Sequence, residues 1–180
     1  MYECVDIYPQ ATPPDAAIYS GLLWPGITLG MTRTQFIDAM DREPSYQTDY
    51  TLCYDGAHLL NRDAMQICFF NTANRLVSVD LSFTEPVHHP IAMPDGFESL
   101  LADYDDMDAA ITQAMGQPTL ARYYDWQVDT LRNTPEKYGT AFMQANLALR
   151  TEWTLGTLHV RHLLYYDHDQ VFSDLLYSVR

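Results

Sequence analysis

The chain has 180 residues, of which 47% are hydrophobic. That suffices for one sizeable core or two small packed units and excludes overall disorder. Its 24 acidic residues against 10 basic ones give a formal charge of -14, which argues against nucleic acid and anionic membrane surfaces as partners and favours basic ones. Cys4, Cys53 and Cys68 are odd in number and lack paired spacing, which argues against a disulfide framework and predicts a reducing, cytoplasmic setting.

From the N-terminus, Met1-Tyr-Glu-Cys-Val-Asp-Ile lacks the basic start and apolar run of a signal peptide. Residues 1–25 read as an extended lead-in, with Pro9, Pro13, Pro14 and Pro25. A first helix-plus-hairpin unit is predicted over 26–84. Thr32 is its helix N-cap and Gln35 completes a capping box; Phe36, Ile37, Ala39 and Met40 form the apolar face, and Pro44 ends the segment. Two strands follow, Met65–Asn71 and Arg75–Phe83. With Asn71 facing Arg75, the alternation predicts Phe69 opposite Val77 and Ile67 opposite Val79. The other face then carries Gln66, Cys68, Phe70, Ser78, Asp80 and Ser82.

Residues 85–96 hold three prolines and read as a linker to a second helix-plus-sheet unit over 97–180. Phe97–Tyr104 and Met107–Met115 are helical in character, with a stop at Gly116 and Pro118. Between them, Asp105 or Asp106 is expected to cap a helix start. Tyr123–Trp126 reads as a strand and 127–145 as a long connection. Ala148–Tyr166 reads as a hairpin turning at Leu155-Gly156, with Trp153 opposite Leu158 and Thr151 opposite Val160. Residues 171–179 fit a strand or a helix equally. The fold class is therefore α+β: short helices on antiparallel sheet, either as two tandem related units or as one domain with a continuous sheet.

No nucleophile elbow, phosphate loop or zinc-protease motif is present, so no enzyme activity, catalytic residue, cofactor or metal site is predicted. His159 and His162 are three apart on a strand and face opposite ways, so they do not chelate one ion. His162 lies on the apolar face and reads as a core histidine. Asp103–Asp108 has calcium-loop charge without the turn glycine, and Asp167-His-Asp169 reads as a solvated turn. Aromatic residues beside carboxylates suit contact with a basic protein. This points to Tyr54, Asp55, Asp80, Asp103, Asp105, Tyr124, Asp125, Trp126, Asp167 and Asp169 as partner-binding residues.

The stretch Gly26-Ile-Thr-Leu-Gly-Met-Thr-Arg-Thr-Gln-Phe36 resembles the opening of the beta-lactamase inhibitor protein-like fold, shared by small outer-membrane-assembly lipoproteins. The resemblance implies a Gly-Met-Thr turn, a short helix and then antiparallel sheet. The small, acidic, motif-free make-up also resembles bacterial immunity proteins. That implies a cytoplasmic protein that binds a basic toxin domain and occludes its active site. The alternative is a small adaptor or chaperone that holds protein clients on its sheet face around Phe70 and Asp80.

Overall fold

A computed structural model describes residues 16–17, 26–59, 62–84, 94–128 and 131–179. Most of the lead-in, the 85–93 stretch with His88 and His89, and Cys4 lie outside the described residues. In order, the elements are β1 (Ala16–Ala17), β2 (Thr28–Leu29), α1 (Arg33–Met40), β3 (Tyr46–Gln47), β4 (Thr51–Leu59), β5 (Arg62–Phe70) and β6 (Leu76–Thr84). They continue with α2 (Pro94–Met115), β7 (Leu120–Trp126), α3 (Tyr138–Met143), β8 (Leu147–Leu155), β9 (Leu158–Asp167) and β10 (Gln170–Val179). The class is α+β. An antiparallel sheet runs β3-β4-β5-β6-β10-β9-β8-β7, and β1 and β2 pair separately. The chain gathers into two compact units. One holds the described residues up to Ser82 with Thr154–Val160 and the chain from Leu176; the other holds Phe83–Trp153 and Arg161–Leu175.

In the first unit the capping box forms as its residues dictate. Thr32 Oγ1 accepts from the Gln35 amide, and the Gln35 side chain accepts from the Thr32 amide. The helix ends at Asp41, which takes a left-handed conformation, before Pro44. Phe36 is fully buried, 6.1 Å from the Tyr54 ring and 5.7 Å from that of Phe70.

That packing depends on a register other than the one the alternation predicts. Asn71 does face Arg75: the Asn71 amide donates to Arg75 O, and Asn71 Oδ1 accepts from the Ala73 and Arg75 amides. Just beyond, a bulge between Phe69 and Phe70 pairs Phe70 with Leu76 but Phe69 with Ser78. The extra residue exchanges the faces from there on. Ala64, Gln66, Cys68 and Phe70 are buried with Val79, Leu81 and Phe83, while Ile67 pairs with Asp80 on the more open face. Phe70 and Asp80 thus do not share an exposed sheet face. β4 also escaped the sequence reading, because its polar Asp55-Gly56 interrupts the alternation. Those two residues form a bulge between the Tyr54–Gln66 and Ala57–Ala64 pairs.

In the second unit α2 is one helix of 22 residues and not a short one; it begins at Pro94, inside the stretch read as linker. Phe97, Leu100, Tyr104, Met107, Ile111 and Met115 recur at helical spacing and are all buried. Asp105 and Asp106 are consequently mid-helix residues on the exposed side and cap nothing. The apolar stripe on the other side carries the helix straight through them. Phe97, Leu100 and Tyr104 pack in one core with Ala141, Phe142, Leu147, Leu149, Leu164 and Val171. The connection 127–145 contains a 3-10 turn at Pro135–Lys137 and then α3, which supplies Phe142 to that core. The β8–β9 turn, which belongs to the first unit, is Gly156-Thr157, one residue later than predicted, because Gly156 at φ 59° takes the left-handed position the turn needs. The chain 170–179 is a strand, β10, buried on both faces from Val171 to Leu175.

Candidate functional site

Three of the residues expected to meet a partner lie on the bulged strands of the first unit, and a fourth, Asp103, lies on α2. Tyr54 is buried on β4, under the Arg42 guanidinium at 5.0 Å from its ring centroid. Burial pushes the Tyr54 phenol pKa upward. Asp55 is exposed in the bulge, and Arg42 Nη1 donates to its carbonyl at 3.1 Å. Asp80 is half-buried on β6. Asp103, in the second unit, is half-buried on α2.

The remaining residues belong to the second unit, and the structure brings three of them to one place. Tyr124 and Trp126 on β7 close around Tyr138 at the start of α3, with ring centroids 5.8 Å and 4.9 Å from it. Asp105 on α2 reaches the same rim: Arg122 Nη1 donates to both its carboxylate oxygens, at 2.8 and 2.9 Å. The Arg122 guanidinium lies 5.7 Å from the Tyr124 ring centroid. Tyr123, opposite Arg150 in the β7–β8 ladder, has that guanidinium 5.5 Å over its ring. The Tyr138 hydroxyl donates to the Arg132 carbonyl at 2.7 Å and ties the preceding loop down. Together Arg122, Tyr123, Tyr124, Trp126, Arg132 and Tyr138 line an open concavity of about 320 Å³. Asp125 is half-buried between Tyr124 and Trp126 along the strand and is not in that lining. Asp167 and Asp169 stand exposed in the β9–β10 turn, where His168 Nδ1 contacts Asp167 Oδ2 at 2.7 Å and the Tyr166 hydroxyl donates to Asp169 Oδ1.

Sequence reasoning missed Arg122, Arg132 and Tyr138 as companions of Tyr124 and Trp126. The Arg122 position in the same strand, two residues before Tyr124, was a usable signal, since alternate strand residues share a face. Arg132 and Tyr138 carried none, because the loop fold alone places them.

A second constellation lies inside the same unit. His162 on β9 is 0% exposed; its Nδ1 is 2.6 Å from Asp108 Oδ1 and its Nε2 is 2.7 Å from Ser173 Oγ. Thr151 Oγ1 donates to Asp108 Oδ2 at 2.6 Å. The Tyr104 hydroxyl meets both Thr151 Oγ1 and the His162 carbonyl, and its ring stacks on the imidazole at 4.2 Å. Burial, then the Asp108 charge, pushes the Tyr104 phenol pKa strongly upward. Ser, His and Asp here follow the hydrogen-bond order of a nucleophilic triad. Ser173, however, is only 2% exposed, and its Oγ is 3.6 Å from Met107 Sδ under α2. A carbonyl carbon has no approach to that oxygen, so the arrangement serves as a satisfied polar network in the core.

Among the described residues no group of three or more His, Cys, Asp or Glu is placed to hold a metal ion, and no described helix is long and apolar enough to cross a membrane. No family model and no curated protein matches this chain. A solved structure, described as a DUF4309 family protein (YjgB) from Bacillus subtilis subsp. subtilis str. 168, is similar at 11% identity. The match covers 90% of each chain with a TM-score of 0.44.

Proposed function

We propose that this protein works by binding: an immunity- or inhibitor-type protein that engages a basic toxin domain and blocks its active site. The observation that carries the reading is how the two charge types are used. Arg33 donates to the Asp49 carbonyl, Arg42 to that of Asp55 and Arg75 to that of Gly30; Arg122 pairs with Asp105 and Arg150 with Glu152. Five of the ten basic side chains are thereby tied into the fold, whereas the carboxylates of Asp55, Asp167 and Asp169 are presented to solvent. Such a surface steers a basic partner at long range and loses that pull as salt rises. Two buried thiols, Cys53 and Cys68, and a core histidine in place of a reactive one go with a cytoplasmic binding role. The capped α1 entry at Gly30-Met31-Thr32 supports relating the fold to the beta-lactamase inhibitor protein-like group.

The test is affinity capture from the native host at low and high salt, with Asp167→Lys/Asp169→Lys beside the unaltered protein. One stoichiometric basic partner, released by salt and lost in the double variant, supports the proposal. Many weak partners indifferent to salt overturn it and favour an adaptor.

A further inference from the structure

β7 ends the sheet on one side: among the described residues it ladders to β8 and to no other strand. The phase of that ladder tells which main-chain groups point outward. The Gln127 amide donates to Asn146 O at 2.9 Å, so this opposed pair is a hydrogen-bonded one. Counting back in the antiparallel register, Asp125 opposite Ala148 and Tyr123 opposite Arg150 are hydrogen-bonded pairs too. The amides and carbonyls of Tyr124 and Trp126 therefore face away from β8. Among the described residues no backbone hydrogen bond from beyond the ladder reaches them. Sheet edges are ordinarily blunted by bulges, charges or a covering element. Here the register shift between Leu120 and Tyr123 disturbs only the start of the strand and leaves Tyr123 to Trp126 regular. That stretch is held firmly. On one face the Tyr124 and Trp126 rings pack on Tyr138 and the core of the second unit; on the other the Arg150 guanidinium covers Tyr123. A preorganised edge loses little freedom when a strand is added to it. Its charge is unbalanced. Arg122 is paired with Asp105 and Arg150 with Glu152, whereas the carboxylate of Asp125, half-buried opposite Ala148, has no partner among the described residues.

We propose that the β7 edge is a docking site for an extended basic segment, which adds to the sheet as a further antiparallel strand. Its main chain pairs with that of Tyr124 and Trp126. Every second side chain of such a strand falls on the Asp125 face, where a Lys or Arg meets the unpaired carboxylate; the alternate ones are apolar and lie beside the two aromatic rings. The inference rests on the basic partner proposed above and names the element that partner offers, a strand or tail of alternating basic and apolar residues.

Amide hydrogen exchange and calorimetry on the full chain test this with capped synthetic peptides: one of alternating Lys and Val, its Glu-Val counterpart, and two forms of the first, N-methylated on the valine or on the lysine amides. In the free chain the Tyr124 and Trp126 amides should exchange fast and those of Tyr123 and Asp125 slowly, and the Lys-Val peptide should protect the first pair. Binding should be one-to-one, weakened by salt, and about tenfold weaker in Asp125→Asn, the scale of one charge-assisted contact. Methylating the valine amides, which face β7 in antiparallel docking, should abolish it; methylating the lysine amides should not. Protection of the Tyr124 and Trp126 amides in the free chain overturns the proposal, whether at every concentration, where the chain covers its own edge, or only at high ones, where a second copy does. It is overturned equally if no Lys-Val peptide binds, if the Glu-Val peptide binds as well, if the two methylated forms behave alike, or if Asp125→Asn changes nothing. Capture of a basic partner that depends on Asp167 and Asp169 while these peptide tests fail removes this inference alone; peptide binding without any captured partner removes the toxin-inhibitor reading and leaves the edge site standing.

Discussion

His162 and its neighbours show how a single buried polar residue dictates its surroundings. A fully buried imidazole needs a partner at each nitrogen, and Asp108 and Ser173 supply them from α2 and β10. Asp108→Ala leaves His162 Nδ1 and Thr151 Oγ1 without their acceptor in the core, so a loss of about 3–5 kcal/mol is expected by urea unfolding. Adding His162→Phe to that variant should restore part of the loss, since an apolar ring needs no acceptor. Tyr177 is the opposite case. It is 0% exposed and its hydroxyl makes no hydrogen bond among the described residues. Tyr177→Phe should therefore be neutral or slightly stabilising, within about 1 kcal/mol, by the same measurement. His162 was legible as a core residue because strand alternation put it with the apolar positions. Its partners Asp108 and Ser173 were not, because they are 54 and 11 residues away and nothing local marks them.

At the level of elements, turn chemistry decides which face a strand shows. Gly156 sits at φ 59° with open space where a Cβ would be, so a substitution there is felt only through the backbone. Gly156→Val should cost about 1–2 kcal/mol, whereas Gly156→Asn should cost distinctly less, because Asn tolerates the left-handed region. Thermal unfolding of the pair checks it. The capping box of α1 was readable from Thr32 and Gln35 because both its hydrogen bonds are made within one turn. The β5–β6 pairing was readable at its turn, Asn71 to Arg75, and misread two residues on. Both Gln66-Cys68-Phe70 and Met65-Ile67-Phe69 are plausible buried faces by composition; a bulge chose the first, and it placed Phe70 against Phe36. For α2, the cluster Asp103–Asp108 looked like an interruption, yet the buried stripe from Phe97 to Met115 continues on the other side of the helix.

For the whole molecule, buried acids of the weak kind set the response to alkali. Burial raises the pKa of the Cys68 thiol and of the Tyr54, Tyr104 and Tyr177 phenols in the folded chain. Their stabilising contribution is therefore complete below the unfolded-state values. Above those values the unfolded chain releases protons that the folded chain retains, and stability is lost as pH rises toward the folded pKa values. The urea midpoint should fall from about pH 8.5 upward, near the ordinary thiol value, and more steeply beyond about pH 10, near the ordinary phenol value. Tyr177→Phe should make that fall shallower, and an equal slope in the two proteins would count against the assignment.

Length, hydrophobic content and alternation by themselves determined the α+β class, the capped start of α1, most of the later strands and the acidic character. Each depends on local geometry or on composition, which act wherever the chain goes. Tertiary structure alone decided the bulged registers, the continuity of α2 and the joining of Asp108, His162 and Ser173. It also decided the meeting of Arg122, Tyr124, Trp126, Arg132 and Tyr138 in one cleft. Those outcomes depend on which residues pack against one another across long stretches of chain. A shift of a single residue reverses a strand's faces without changing its composition, so only the competition between packed arrangements selects among them.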